Sequence, residues 1–340
     1  MLPKIVTCFP LTEQQLGSIR DSGHGKVEVV GSDQDRIAED LMHADIFCGH
    51  AKVPVDWPAV VQQGRLKWIQ SSAAGLDHCL VPEVIDSEIV VTGCSCLFAP
   101  QVAEQTVALL MGLVRRLHVF FHAQNAKQFV RRPTDNLEDK KVLIVGFGGN
   151  GQQIARVLRP MVNSISATDC FADNQHLLLK DGTIDCLESS EDLDQLLPNS
   201  DVIIVTLPKS AANEQLFESD KFRLMKPGAY LINVGRGSVV DTSAMIDSLT
   251  TGHLGGVGID VVNPEPLPVG SPLWEMDNVI ISPHVGAQSP RRVPRTVELF
   301  IENMNRYLQG KKLLNLVDKQ LGFPKPADRI DHSENGWAPS

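Results

Sequence analysis

The sequence predicts a doubly wound α/β protein built on parallel sheet, either as two compact domains or as one large α/β unit. Three observations carry this. Short apolar or β-branched runs alternate with helix-length segments along almost the whole chain. In the second half these runs are apolar without interruption, as strands covered on both faces must be. Finally, 340 residues exceed what one small core accommodates.

Residues 4–8, 27–30, 67–70 and 89–91 read as short strands separated by polar or Gly-containing segments. Over residues 101–125 the period changes. Val102, Leu109, Leu110, Leu113, Val114 and Leu117 recur at helical spacing behind Pro100, which predicts one long helix. The charged stretch RRPTDNLEDKK then reads as surface loop. Strands follow at 142–145, 165–168, 202–207, 230–234, 256–261 and 279–282. A last helix is expected over 290–308, through Val293, Val297, Phe300, Ile301 and Met304, stopping near Gly310. Residues 322–340 are rich in proline and charge, lack periodicity, and are expected to be a loosely attached tail.

Charge narrows the partners. With 31 Lys+Arg against 41 Asp+Glu the net charge is -10, a field that repels nucleic acid and anionic membrane surfaces. The same field repels a small anionic substrate, so any such substrate needs a local cationic anchor. No run approaches the ~20 apolar residues of a membrane helix. The best candidate, 107–121, is interrupted by Arg115 and Arg116. The N-terminus has no basic region followed by a long apolar run, so a cytoplasmic protein is expected. Seven scattered cysteines fit reduced thiols, and the lone C-x-C of Cys94 and Cys96 has no second pair at zinc spacing, so no metal site is expected.

The segment VLIVGFGGNGQQIARVL places Gly146, Gly148 and Gly151 between an apolar strand and a helix. One glycine serves a tight turn, one lets backbone approach a pyrophosphate, and one lets helix pack on strand. The helix N-terminus adds unpaired N–H groups and a positive dipole end. Residues 152–168 separate Gly151 from Asp169, which closes the next apolar run. A carboxylate at that distance accepts the ribose hydroxyls of an adenosine and repels a 2′-phosphate. CFADN, which follows it, contains no basic residue. The reading is a Rossmann-like domain for NAD.

Three later segments each put an unusual polar residue at the end of an apolar strand: LINVGRGSVVD with Arg236, GIDVVNPEPLP with Asp260 and Glu265, and NVIISPHVGA with His284. In an open α/β sheet those ends face the ligand crevice. In this order, and with WIQSSAAGLDHC earlier in the chain, residues 1–318 resemble the D-isomer-specific 2-hydroxyacid dehydrogenase family.

The resemblance implies NAD-dependent interconversion of a 2-keto acid and its D-2-hydroxy acid, with no metal. It implies that Arg236 grips the substrate carboxylate and carbonyl oxygen, a task suited to its planar fork. His284 is then the general acid in reduction and base in reverse, with Glu265 orienting the imidazole and stabilising its charge. Asp260 is expected to hold the nicotinamide carboxamide or its neighbourhood. Around the cofactor it implies Gly146, Gly148, Gly149, Asn150, Gly151, Asp169, Leu207, Pro208, Val234, Gly235 and Gly286. The backbone amides of Ala73, Ala74 and Gly75 are expected to receive the substrate carboxylate, whereas Asp77 and His78 are assigned structural roles.

It further implies a discontinuous substrate-binding domain (1–100 with 289–340), a cofactor domain inserted at 101–288, an active site in the cleft between them, and a homodimer using the 101–125 region. Phe98 and Glu265 stand where formate dehydrogenases of this superfamily carry Asn and Gln, which disfavours formate. CGHAK at 48–52 lacks the Arg-Ser pair usual in phosphoglycerate dehydrogenases, and no regulatory domain is expected after Val317. A small unphosphorylated keto acid such as glyoxylate, hydroxypyruvate or pyruvate is the expected substrate. The competing expectations are phosphoglycerate oxidation and an NAD(H)-sensing co-repressor-like binding module.

Overall fold

The computed structural model describes residues 2–173 and 176–330. Two compact units emerge, one joining Met1–Phe98 to Ser289–Ser340 and the other comprising Ala99–Gln288. Each is a parallel sheet with helices on both faces.

In the first unit the chain runs β1 (Lys4–Cys8), α1 (Glu13–Ser22), β2 (Glu28–Gly31), α2 (Ile37–Asp40), β3 (Ile46–Gly49), α3 (Trp57–Gln63), β4 (Trp68–Ser71), α4 (Pro82–Ile85) and β5 (Val90–Thr92). The sheet order is β2-β1-β3-β4-β5, and every pair is parallel. Local chemistry starts the helices. Thr12 and Gln15 form a reciprocal capping box for α1, and Asp56 caps α3 through Ala59 N. Leu16 and Ile19 of α1 share one core with Ile5, Ile46 and Trp68, while Ile37, Trp57, Val60 and Val84 pack with Val6, Phe47 and Ile69 on the other face. Strand β3 was not among the expected strands. All four residues of its run IFCG are buried.

The second unit begins with α5 (Ala99–Val114) and α6 (Leu117–Asn125) and continues β6 (Lys141–Val145), α7 (Gly149–Leu158), β7 (Ser164–Asp169), α8 (Leu177–Lys180), β8 (Cys186–Ser189), α9 (Leu193–Leu196), β9 (Val202–Val205), α10 (Ser219–Leu224), β10 (Ala229–Asn233), α11 (Thr242–Thr250), β11 (Leu254–Ile259) and β12 (Val279–Ile281). The order is β12-β11-β10-β9-β6-β7-β8, again wholly parallel. Residues of α5 and α7 cover one face; those of α9, α10 and α11 cover the other.

The single helix expected over 101–125 is two, bent by 69°. Arg116 sits at φ 55, left-handed, and ends the regular ladder. The carbonyl of Val114 freed by the break accepts Asp135 N, and Arg115 Nη1 donates to Asp135 O and Asn136 Oδ1. The kink is therefore held by the following loop. Among the described residues no single helix is long and apolar enough to cross a membrane.

α12 (Arg292–Leu308) returns to the first unit, where Val297, Phe300 and Met304 join the core of Ile5 and Trp68. The next segment corrects the expectation of a loose tail from 322. Phe323 bridges to Asp318, Lys325 pairs with Asp318 at 2.8 Å, and buried Ile330 donates its amide to Asn315 Oδ1 at 2.9 Å. Ile330 buries enough apolar surface to anchor the segment. Residues 331–340 lie outside the described residues.

Candidate active site

The carboxyl ends of β6, β7 and β9–β12 in the second unit hold most of the residues singled out above. At β6 the chain turns through Gly146 at φ 94, a conformation that favours glycine. A side chain on Gly151 would bring its Cβ to 2.3 Å from Gly146 O, so the start of α7 touches the turn only because Gly151 has none. α7 begins at Gly148 with no side-chain cap, which leaves its first amides available to an anion. Asp169, at the end of β7, accepts Phe147 N at 2.6 Å and Phe171 N at 2.8 Å. The acid is thereby pinned beside the glycine turn. After β9, Thr206 Oγ1 donates to Gly146 O at 2.7 Å, and Leu207 lies against Gly146. Pro208 O accepts Asn213 Nδ2.

At the end of β10, buried Asn233 spans the next turn. Its Oδ1 accepts Gly235 N and its Nδ2 donates to Arg236 O, both at 3.0 Å. The buried Val234 amide donates to Val205 O, and Gly235 packs so close to Leu207 that a Cβ would stand 2.5 Å from Leu207 O. Arg236 is half-buried, and its Nη1 donates to Gly235 O at 2.8 Å.

Glu265 and His284 meet. Glu265 Oε2 lies 2.9 Å from His284 Nδ1, and Oε1 accepts Val262 N at 3.3 Å. His284 sits at φ 54, a strained position for a side-chain-bearing residue, and is held there by His284 N donating to Asp260 O at 2.7 Å. Both side chains keep solvent contact, at 47% for His284 and 40% for Glu265. With Nδ1 facing the carboxylate, Nε2 is the nitrogen left for proton exchange with a substrate. In the first unit, Ala73, Ala74 and Gly75 form the loop after β4.

The chain matches proteins of one known family. Residues 107–286 match the family model described as D-isomer specific 2-hydroxyacid dehydrogenase, NAD binding domain. A glyoxylate reductase of Thermofilum pendens is 31% identical over 78% of this chain and 79% of its own. A D-3-phosphoglycerate dehydrogenase of Mycobacterium bovis is 27% identical over 93% of this chain and 59% of its own. The crystal structure of a D-isomer specific 2-hydroxyacid dehydrogenase from Xanthobacter autotrophicus Py2, in complex with NADPH and MES, superposes with a TM-score of 0.76 at 24% identity, covering 94% of this chain and 99% of that one. The chain belongs to the D-isomer-specific 2-hydroxyacid dehydrogenase family.

As a member of that family it is an NAD-dependent dehydrogenase acting on CH–OH groups. The residues present suit the cofactor. The glycine turn accepts no Cβ at Gly151, the first turn of α7 is uncapped, and Asp169 lies beside that turn with acceptor capacity beyond its two amide bonds.

At two of the expected contacts the polar group already has partners within the protein. Asp260 does not present its carboxylate outward. It is 3% exposed, and it accepts Ser282 Oγ at 2.6 Å, Val285 N at 3.0 Å and Gly286 N at 2.8 Å. It shapes the His284 segment from within, and Gly286 contributes by letting its amide approach that carboxylate. Likewise the Ala73 amide donates to Ser71 Oγ at 3.0 Å, which leaves Ala74 and Gly75 as the candidate anion donors of that loop.

Sequence reasoning missed the positioning residues. Gln105 of α5 donates to Ser282 Oγ at 2.8 Å, Ser282 donates to Asp260, and Asp260 holds the two amides that follow His284. Thr206 and Asn233 do comparable work at the other strand ends. The available signal was a polar residue directly after an apolar strand, as at Thr206 and Ser282.

Proposed function

We propose that this protein is a cytoplasmic NAD(H)-dependent oxidoreductase that interconverts a small 2-keto acid and its D-2-hydroxy acid, of the glyoxylate, hydroxypyruvate or pyruvate type. The observation that carries the reading is the His284–Glu265 pair at 2.9 Å, set at the end of a sheet that also carries the glycine turn and Arg236. The glyoxylate reductase relative supports the substrate class.

In this reading Arg236 binds the substrate carboxylate and carbonyl oxygen and so orients the reacting carbon. His284 delivers a proton from Nε2 to the carbonyl oxygen during reduction and removes it in the reverse direction. Glu265 fixes the ring through Nδ1 and stabilises the charge His284 acquires. The amides of Ala74 and Gly75, in the substrate-binding domain (1–100 with 289–340), add donors to the carboxylate. The cofactor domain (101–288) binds NAD through Gly146, Gly148, Gly149, Asn150 and Gly151, with Leu207, Pro208, Val234 and Gly235 lining its path and Asp169 on the adenosine ribose. NAD, when bound, exchanges a hydride with the substrate's C2.

A homodimer formed through α6 completes the proposal. α6 has no buried residue in the single chain, and Leu117 and Phe121 are 42% and 57% exposed. Light scattering on the purified protein checks it: a monomer at micromolar concentration defeats this part.

The main test is NADH oxidation with a panel of 2-keto acids, in the wild type and in Arg236→Ala and His284→Ala. Turnover with a small keto acid that both substitutions abolish is expected. Failure of every substrate, or full rate in either variant, overturns the reading.

A further inference from the structure

The second unit holds a histidine against the glycine turn that the proposed chemistry does not use. Phe147, between Gly146 and Gly148, gives its amide to Asp169 Oδ2 at 2.6 Å. Its ring meets His176 edge-on, with centroids 5.1 Å apart. His176 precedes α8 and caps it: Nδ1 accepts Leu178 N at 3.1 Å, and Leu178 is buried. An imidazole nitrogen that accepts carries no proton, so the ring is neutral while the cap holds. This half-buried ring thus joins the turn, the acid at the end of β7 and the start of α8.

The charges that act on this ring come from three elements. Arg156 is exposed on α7, Asp169 ends β7 with Asp173 in the loop beyond it, and Asp181 follows α8. Burial, then Arg156, push His176 below its ordinary value, against the pull of the three acids. The ring is therefore neutral at neutral pH and takes up a proton in mildly acidic solution. Protonation ends the cap, because Nδ1 becomes a donor facing another donor. The imidazolium then needs a new acceptor. CFADN has no basic residue, so the fold, and not the local sequence, brings His176 and Arg156 to this end of β7.

We infer that His176 is a specificity-determining residue for the dinucleotide: once protonated it exchanges its helix cap for the 2′-phosphate of NADPH, so the preference for NADH falls in acidic solution. This rests on the reading that Asp169 holds the adenosine ribose, whose 2′-hydroxyl is the one esterified in NADPH. At neutral pH Asp169 opposes a 2′-phosphate with like charge while His176 stays neutral. Below the titration midpoint of His176, the imidazolium supplies a charge-assisted donor beside that acid. Protonation and phosphate binding favour each other, so a ligand with a 2′-phosphate raises the His176 midpoint in return.

The test measures the dissociation constants of NADH and NADPH by cofactor fluorescence, a readout independent of turnover, from about pH 5.5 to 8 in wild type and His176→Asn. Asn keeps a cap acceptor for Leu178 N but acquires no charge. A phosphate ester itself titrates near pH 6, so both proteins lose some preference for NADH in acid. The wild type is expected to lose roughly fivefold more than His176→Asn, the size of one partly exposed charge pair. If the two proteins change in parallel with pH, the inference fails and the reading of Asp169 stands. Equal wild-type affinity for NADH and NADPH at pH 8 overturns both. A second measurement needs no variant. Adenosine 2′,5′-bisphosphate added to the wild type should raise the titration midpoint of the His176 imidazole proton resonance more than adenosine 5′-monophosphate does. Equal shifts with the two nucleotides overturn the inference.

Discussion

Both units end in the same structural device, a parallel sheet whose order reverses near its centre, yet the two strand ends are furnished differently. In the second unit the reversal between β6 and β9 is lined by backbone: the Gly146 turn, the uncapped start of α7, and carbonyls held by Thr206 and Asn233. In the first, the reversal between β1 and β3 is lined by ionisable side chains, His50 with Lys52 beside it. In the proposed reading the difference follows from what each surface recognises. A dinucleotide is long and presents a pyrophosphate, which amides and a helix dipole accommodate when side chains are absent. A small acid has little surface, so discrimination has to come from charges placed at particular points.

The contrast breaks most decisively at the second unit. His284→Ala is expected to reduce kcat by roughly 10²- to 10⁴-fold, the usual worth of a positioned general acid. Glu265→Gln, which keeps the shape but not the charge, should cost less and alter the pH profile of kcat/KM. If steady-state rates in His284→Ala stay within a few-fold of wild type, the proton comes from elsewhere and the comparison between the ends loses its chemical half.

Two buried asparagines sharpen the same comparison. Asn233 holds the Arg236 turn in the second unit. Asn303 in the first links α12 to Gln70 Oε1 at 2.9 Å and to the backbone of Leu314. Replacing either by Ala strands buried partners, a loss of about 2–3 kcal/mol in urea unfolding. Only Asn233→Ala should also depress kcat/KM, by about tenfold or more through a misplaced Arg236. Equal loss of activity in Asn303→Ala would show that rigidity of the first sheet matters as much as the turn does.

Cofactor selection is a smaller effect. Asp169→Ala is expected to narrow the preference for NADH over NADPH by about tenfold, read as the ratio of kcat/KM values. Equal wild-type efficiency with both would mean that the carboxylate, held by Phe147 N and Phe171 N, serves the turn alone.

How far this was legible in the sequence depended on whether a residue acts through its own chemistry or through a neighbour. Gly151, Asp169, Arg236, Glu265 and His284 stood out because the tasks proposed for them admit few residue types at or near strand ends. Gln105 was not, because it is one polar residue on an apolar helix and its partner Ser282 lies 177 positions away. Asp260 has a structural task that the sequence did not show. An acid at a strand end is visible in the sequence, but whether it faces a ligand or its own loop depends on amides, here Val285 and Gly286, that only the folded turn supplies. The strands were found where their runs were long and apolar. β3 and the polar-mixed run of β8 were not found, and the break at Arg116 was lost for its dependence on a loop twenty residues further on.

The last prediction concerns thiols and divides the units again. In the first, Cys8, Cys48, Cys79 and Cys94 are buried, and burial pushes Cys79 and Cys94 up to about 12. In the second, Cys170 is exposed next to Asp169, while burial and Glu188 push Cys186 up to about 11. Alkylation requires thiolate. Iodoacetamide at pH 8 should therefore label Cys170 first, followed slowly by Cys186, with Cys79 and Cys94 protected until the chain unfolds. Because Cys170 adjoins the acid proposed to hold the adenosine ribose, bound NADH should slow its labelling a few-fold. Peptide mass spectrometry with and without NADH reads both results. Labelling of Cys170 at one rate in either condition would place the dinucleotide away from the end of β7, and with it the role assigned to Asp169.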